Sequence, residues 1–167
     1  MLTTGTCLPR PAGGAVRPAW PGDAAALARL CAAHAAYERL AHCTDGHAAR
    51  LAEALQSGRL HAWLALRDAQ IVGYASATVD YATLAARPFL HLDCLYLDPA
   101  ARGHGLGQAL LCAVVDHART LGFAQLQWQT PVWNEGAIRF YDRLGATRLT
   151  KQRYTLACGQ SPCPPGA

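Results

Sequence analysis

The sequence has no run of apolar residues long enough to cross a bilayer, which takes about 18–20 residues with few charges, so a membrane span is excluded. It has no cluster of lysine and arginine either. Its 15 basic residues are scattered among 11 acidic ones, for a formal charge of only +4. That balance suits a small anionic ligand and leaves no nucleic-acid footprint. The seven cysteines are odd in number, irregularly spaced and without a CxxC pair. Neither a disulfide framework nor a metal site is therefore expected, and most of the cysteines read as small buried hydrophobes. The opening MLTTGTCLPRPAGG lacks the apolar segment of a secretory signal, so a reducing cytoplasm is the expected setting. No internal repeat or linker breaks the middle of the chain.

The 167 residues are 51% hydrophobic, enough for one domain with a sizeable core. Residues 1–13 are expected to form a flexible leader and 158–167 a flexible tail, with one domain over 14–157. A short strand is expected at Ala15–Pro18. A helix opens at Pro21-Gly22-Asp23 and carries Leu27, Leu30, Cys31 and His34 at helical spacing as far as His42. A second helix runs Gly46–Gln56. Leu60–Leu66 and Ile71–Asp80 flank the turn Arg67-Asp68-Ala69-Gln70 as a hairpin. Phe89–Leu97 is a third strand, stopped by Asp98-Pro99, in which Leu92 and Cys94 alternate against Asp93. A long helix follows over Gly105–Leu121, then a strand at Ala124–Thr130. Asn134 caps a short helix, Glu135–Leu144, and Thr147–Ala157 is a last strand. The order describes a mixed α/β layer around one sheet.

Between the third strand and the long helix lies Arg102-Gly103-His104-Gly105-Leu106-Gly107-Gln108. Glycines let backbone N–H groups converge without side chains, and a helix start adds unpaired N–H groups and the positive end of its dipole. The loop is a cradle for phosphate. It is not a P-loop, because no Lys-Ser/Thr follows. It departs from the dinucleotide fingerprint at Gln108, where that pattern has glycine, and the next strand lacks the terminal acidic residue. What remains is Arg-x-x-Gly-x-Gly.

That loop, together with Asn134-Glu135-Gly136-Ala137-Ile138-Arg139-Phe140-Tyr141-Asp142-Arg143-Leu144-Gly145-Ala146, resembles the Gcn5-related N-acetyltransferase (GNAT) family over roughly residues 16–156. The resemblance implies an α/β fold of the α+β kind: one mostly antiparallel sheet of six to seven strands flanked by four helices. It implies acetyl-CoA as co-substrate, held by Arg102, Gly103, His104, Gly105, Leu106, Gly107 and Gln108, with Asn134, Ala137 and Tyr141 contributing downstream. The pantetheine arm would pair with the backbone of Leu95, Tyr96 and Leu97, whose strand must splay from Ala124–Thr130. Tyr141 matches the tyrosine that protonates the leaving thiolate. Phe140 reads as core, and Tyr141 has a core reading too. The family is commonly homodimeric.

Leu92-Asp93-Cys94-Leu95-Tyr96-Leu97 is similar to the L-E-D-L-[FY]-V strand of the diamine and thialysine acetyltransferase branch, and Ala36-Tyr37-Glu38 to its A-x-Y-E segment. Tyr37, Glu38 and Asp93 are thus candidates for binding a small-molecule amine. Asp93 also stands as the base that deprotonates it, or as a buried structural carboxylate. Cys94 replaces a carboxylate of the branch and Thr83-Leu84 a Thr-Trp step, which favours a smaller or less charged amine than a polyamine. Cys94 reads as packing. Two rivals stand beside this reading: acetylation of a protein N-terminus or lysine, and a non-catalytic acetyl-CoA-binding module.

Overall fold

The computed structural model describes residues 14–156 and 158–159, and the expected leader and most of the tail lie outside the described residues. The chain divides into two compact units, residues 1–127 and 128–167. The first holds a five-stranded sheet. Its strands are β1 (Gly14–Pro18), β2 (His61–Arg67), β3 (Gln70–Ala82), β4 (Arg87–Leu97) and β5 (Leu126–Gln127), in that spatial order. The first three pairings are antiparallel and β4–β5 is parallel. The two-residue turn between β2 and β3 uses Asp68 and Ala69 at φ 50° and 62°. Two positive φ values match the twist of a hairpin, although neither residue is glycine or asparagine.

Five strands replace the expected six to seven. Residues 147–156 have no regular secondary structure, and Leu149, Tyr154 and Leu156 are exposed. The expected strand over Ala124–Thr130 shrinks to Leu126–Gln127. Alternating polarity gives a segment two faces, but ladder hydrogen bonds need a neighbour, and no described strand edge pairs with 147–156.

Helix α1 (Ala24–Glu38) follows a 3₁₀ turn at Pro21–Asp23. Asp23 fixes this entry by pairing with Arg17 at 2.7 Å and accepting from the Trp20 N–H at 2.8 Å. The Arg17 guanidinium holds the Asp23 carboxyl below its ordinary range. The helix stops at Arg39, in the left-handed region at φ 58°, short of the expected His42. Helix α2 is His47–Gln56 and helix α3 is Leu106–Thr120. Leu27 and Leu30 of α1 pack on Ala62, Leu64, Tyr74 and Tyr96, with Leu51 and Leu55 of α2 against the same cluster. Because strand side chains alternate, Trp63 points the other way, where its ring meets His117 of α3 at 5.3 Å. One sheet face thus carries α1 and α2, and the other carries α3. No described helix is long and apolar enough to cross a membrane. Cys31, Cys94 and Cys158 are free thiols. Cys43 and Cys112 are disulfide-bonded, which corrects the expectation of no disulfide; irregular spacing in the chain says nothing of proximity in the fold.

In the second unit, α4 (Glu135–Arg143) is capped as expected: Asn134 Oδ1 accepts from the Ala137 N–H at 3.2 Å. The helix ends at Gly145, left-handed at φ 77°, whose N–H donates to Asp142. Glu135 and Arg139 pair one turn apart at 3.1 Å.

Two expectations follow. A Cβ at Gly73 of β3 would lie 2.6 Å from the Tyr96 carbonyl oxygen and collide with the Leu97 side chain. Gly73→Ala should cost about 1–3 kcal/mol, seen as a Tm lowered by about 2–4 °C per kcal/mol. Gly22→Ala, with nothing near its added methyl, should leave Tm alone. Second, the His61 and His117 rings meet at 4.5 Å, tilted by 50°, His117 Nε2 is buried without a partner, and burial lowers the pKa of both rings. The unfolded histidine binds its proton near about 6.5, and the folded ring only at lower pH. Their contribution is therefore complete above that value and is lost as pH falls below it. Melting curves should show Tm dropping from pH 7 to pH 5, and His117→Gln should flatten part of that slope relative to the wild type.

Candidate active site

The geometry of β4 turns on one irregularity. Ser76 pairs with Cys94 and Ala77 with Leu92, so Asp93 has no partner across the ladder. This is a β-bulge, and it reverses the alternation of the strand. Leu92 follows Ala77 to the α3 face, whereas Cys94 and Tyr96 join the α1 cluster. The expectation that Asp93 and Cys94 face opposite ways is thus overturned. The Cys94 thiol donates to Asp93 Oδ2 at 3.5 Å. Asp93 itself is exposed, and its charge acts on Cys31, His34 and Cys94.

Beneath Asp93 lies a polar cluster that sequence reasoning missed. Tyr74 is buried, its hydroxyl meets His34 Nδ1 at 3.1 Å, and Cys31 and Cys94 pack against the same cluster. His34 Nε2 lies 3.4 Å from Glu38 Oε1, one turn later on α1. The ring stacks on Tyr96 at 5.1 Å, and Tyr37 contacts Tyr96 at 6.4 Å. Burial holds His34 toward its neutral form, partly offset by Glu38. Burial, with the Asp93 charge beside it, pushes the Cys94 thiol up to about 12, and burial raises Cys31 as well. The one hint in the sequence was His34 and Glu38 at i and i+4. Nothing local pointed to Tyr74, forty residues away.

At its other end β4 feeds the glycine loop. Beyond His91, the edge of β4 away from β3 carries no strand among the described residues, because β5 pairs only with Leu90 and His91. The stretch Leu95–Leu97 therefore has no strand partner on that edge among the described residues. Gly103 and Gly105 are left-handed at φ 81° and 79°, and Gly105 is the N-cap of α3. Leu106 is buried, so its side chain anchors the helix start and leaves the backbone to the loop. Arg102 does not project freely from this loop. Its Nε donates to the Leu97 carbonyl at 3.1 Å, and its guanidinium lies 4.7 Å over Tyr37 and 5.9 Å from Tyr96. That cation–π contact ties the loop to the end of α1. His104 Nδ1 sits 3.4 Å from Arg67, a basic residue the sequence reading did not single out. Gly107 and Gln108 lie in the first turn of α3.

In the second unit, Tyr141 is flanked by Trp128 at 5.1 Å and Phe140 at 5.2 Å, with Asn134 and Ala137 at the other end of α4. Asn134 spends its side-chain oxygen on the cap.

Residues 27–146 match the acetyltransferase (GNAT) family. Among individual proteins, the chain is 27% identical to a thialysine N-epsilon-acetyltransferase of Caenorhabditis elegans over 131 residues, 78% of this chain and 81% of that one. It is 30% identical to an L-ornithine N5-acetyltransferase of Arabidopsis thaliana over 96 residues, 58% of this chain but only 42% of that one. In three dimensions it is similar to an aminoglycoside N-acetyltransferase crystallised with CoA. The TM-score is 0.75 at 21% identity, with 91% of this chain and 99% of that one covered. At that identity the likeness is one of fold.

The thiols give a direct check on this geometry. Thiolate is the reactive form, so the burial of Cys94 and Cys31 should protect them. Brief iodoacetamide treatment of the native protein, followed by peptide mapping, should label exposed Cys158 and leave Cys94 and Cys31 unmodified until denaturant is added. Rapid labelling of Cys94 in the native state would contradict the buried cluster.

Proposed function

This chain belongs to the acetyltransferase (GNAT) family, and from that premise we propose that it moves the acetyl group of acetyl-CoA to the primary amine of a small molecule in a direct ternary complex. The observation that carries the reading is the open edge of β4. It begins at an unpaired carboxylate, Asp93, and runs through Leu95–Leu97 into the left-handed glycines that start α3.

Acetyl-CoA suits the groups present. Its phosphates fit the N–H groups of Gly103–Gln108 and the positive end of α3. Its pantetheine arm needs exposed backbone donors and acceptors, which an unpaired strand edge offers. Arg67, 3.4 Å from His104 Nδ1, adds positive charge beside the loop. Arg102, engaged with Tyr37, acts by holding the loop in place. A backbone N–H of Leu95–Leu97 serves as a single donor to the acetyl oxygen as charge builds there. On the acceptor side, an ammonium is no nucleophile, and Asp93 takes its proton directly or through water. Tyr141 is the proton donor to the departing thiolate that the family resemblance implies, phenols in general being weak acids of pKa about 10, and the same resemblance makes Asn134 and Ala137 contacts to the coenzyme.

Tyr37, Glu38 and Asp93 supply the acceptor pocket with two carboxylates and an aromatic wall. The relatives named for thialysine and L-ornithine make amino-acid side-chain amines the first acceptors to try. With Cys94 neutral where a second carboxylate would stand, a long polyamine is a poorer match. The same reading has the enzyme act in the cytoplasm as a homodimer, without a membrane or nucleic-acid partner. A protein N-terminus or lysine as acceptor is the rival outcome of the screen below.

Free-thiol release should be followed with thialysine, L-ornithine, spermidine and an unacetylated peptide. We expect turnover with the first two. Tyr141→Phe should then lower kcat by about 10- to 100-fold and leave acetyl-CoA affinity nearly intact. Asp93→Asn should lower kcat at least as much. A wild-type rate in Tyr141→Phe would remove that residue from the mechanism, and peptide-only turnover would replace the small-molecule reading.

A further inference from the structure

Glu38 is the last residue of α1, where its charge meets the negative end of the helix dipole, and the last turn holds no basic residue to offset it. Helix stability therefore disfavours a carboxylate at this position. The helix is otherwise rich in alanine and leucine, and His34, Tyr37 and Glu38 stand together at its C-terminal end. His34 links Glu38 to the sheet. Its Nδ1 lies 3.1 Å from the Tyr74 hydroxyl, and its Nε2 lies 3.4 Å from Glu38 Oε1. The ring stacks on Tyr96 at 5.1 Å with 25° between the planes, and the Tyr74 ring meets it edge-on at 6.0 Å. Two rings and one hydrogen bond thus fix the direction in which Nε2 points. An ionised carboxylate only accepts, so Nε2 must carry the hydrogen that faces Glu38. In the neutral ring Nδ1 is then the acceptor, and Tyr74 donates to it. Burial favours that neutral ring. A leucine at position 34 would fill similar space without the cost of burying an imidazole, so the ring's use lies in what it holds.

We propose that His34 is a positioning residue that aims Glu38 at the second ammonium group of a diamino acceptor. This rests on the reading of Glu38 as an acceptor-site carboxylate and of Asp93 as the base. Asp93 is exposed and serves the reacting amine, which becomes neutral as it loses its proton. Glu38 is then the carboxylate left for a cation that stays charged. Its Oε1 faces the His34 ring, and its side chain is 23% exposed against 13% for His34, so the carboxylate is open to an incoming group on its outer side. A glutamate loses rotamer freedom when it binds a ligand, and a donor that already holds it removes part of that cost. His34 therefore acts on acceptor binding and not on the transfer step. L-Ornithine and thialysine each carry two amines, one to be acetylated and one to be held, and so match two carboxylates. A monoamine leaves Glu38 without a cation and gains nothing from its orientation.

The test measures KM and kcat, at saturating acetyl-CoA, for L-ornithine and for δ-aminovalerate, its analogue without the α-amine. The proteins compared are the wild type, His34→Leu, His34→Gln, Glu38→Gln and the double variant that joins His34→Leu to Glu38→Gln. We expect His34→Leu to raise the L-ornithine KM about five- to ten-fold, with kcat and the acetyl-CoA KM near their wild-type values. His34→Gln, whose amide N–H reaches where the Nε2–H stood, should recover most of that loss. In the Glu38→Gln background His34→Leu should add nothing, and the KM for δ-aminovalerate should not respond to His34→Leu. An unchanged L-ornithine KM in His34→Leu would overturn the proposal. So would an equal rise in the Glu38→Gln background or for δ-aminovalerate, which is what a merely structural ring would give. If Glu38→Gln raises the KM and His34→Leu does not, only the positioning has failed. If Glu38→Gln itself leaves the KM alone, the reading of Glu38 as an acceptor carboxylate has failed with it. A second measurement uses the unsubstituted protein, and so needs neither turnover nor a folded variant. The imidazole ¹⁵N shifts should report His34 as the Nε2–H tautomer. The Nδ1–H tautomer, which cannot donate to Glu38, would overturn the proposal.

Discussion

The extra residue in β4 decides what the rest of the first unit can do. Had the ladder continued from Leu92–Ala77 in step, Cys94 would have followed Leu92 to the α3 face and Tyr96 with it. The α1 cluster would then lack the ring that stacks on His34 and the packed thiol of Cys94. Instead the bulge spends Asp93 on the phase change. It leaves one carboxylate without a cross-strand neighbour, and turns Tyr96 under α1 and Leu97 toward Gly73 on the other side. Strong local twist accompanies such a bulge, and a twisted strand parts from its neighbour. β5 accordingly stays with β4 only at Leu90 and His91. The open edge and the unpaired carboxylate are two results of the same inserted residue.

Tyr74 is the complementary constraint. A buried phenol is stable only with its hydroxyl satisfied, and here His34 of α1 meets it at 3.1 Å while Cys31 and Cys94 pack against the same cluster. That contact restrains α1 relative to the sheet, since His34 must reach the Tyr74 oxygen. Glu38, one turn after His34, is thereby held against the ring on which the Asp93 charge also acts. From the other side Arg102 presses on Tyr37 and Tyr96 while bonding the Leu97 carbonyl. The end of α1, the end of β4 and the glycine loop are therefore one mechanical unit. On the proposed reading, this couples the phosphate end of the site to the acceptor end.

Most of this fold was legible because it is local. The helices over Ala24–Glu38, His47–Gln56 and Leu106–Thr120 follow apolar spacing and glycine stops, and the hairpin at Asp68-Ala69 follows its turn length. The glycine loop was legible for the same reason: its chemistry lies in consecutive residues. What failed was whatever depends on a neighbour in space. A bulge is a mismatch between two strands, and Asp93 alone does not encode it. The segment over 147–156 has the alternation of a strand, but alternation cannot supply the edge it would need. The meeting of His34 with Tyr74 is long-range in the same sense. Asn134 shows the reverse case, since a cap is made within four residues and was read correctly.

The substitution at position 94 gains its meaning from this geometry. The related branch carries a carboxylate where this chain has Cys94. In the present arrangement a carboxylate there would sit within hydrogen-bond reach of Asp93 and against the cluster around Tyr74, partly out of water. Two carboxylates that close cannot both ionise without a cation between them. A polyamine supplies such cations, so a paired-carboxylate site and a multiply charged acceptor stabilise each other. A thiol removes the repulsion and the need for that second cation together. It keeps a donor toward Asp93 while remaining neutral, since burial pushes its pKa up to about 12. Neutrality at this position follows from the packing of Tyr74 and His34 around it. On the proposed reading, the preference for a less charged amine is then a consequence of how α1 is seated on the sheet, and not of the pocket wall alone.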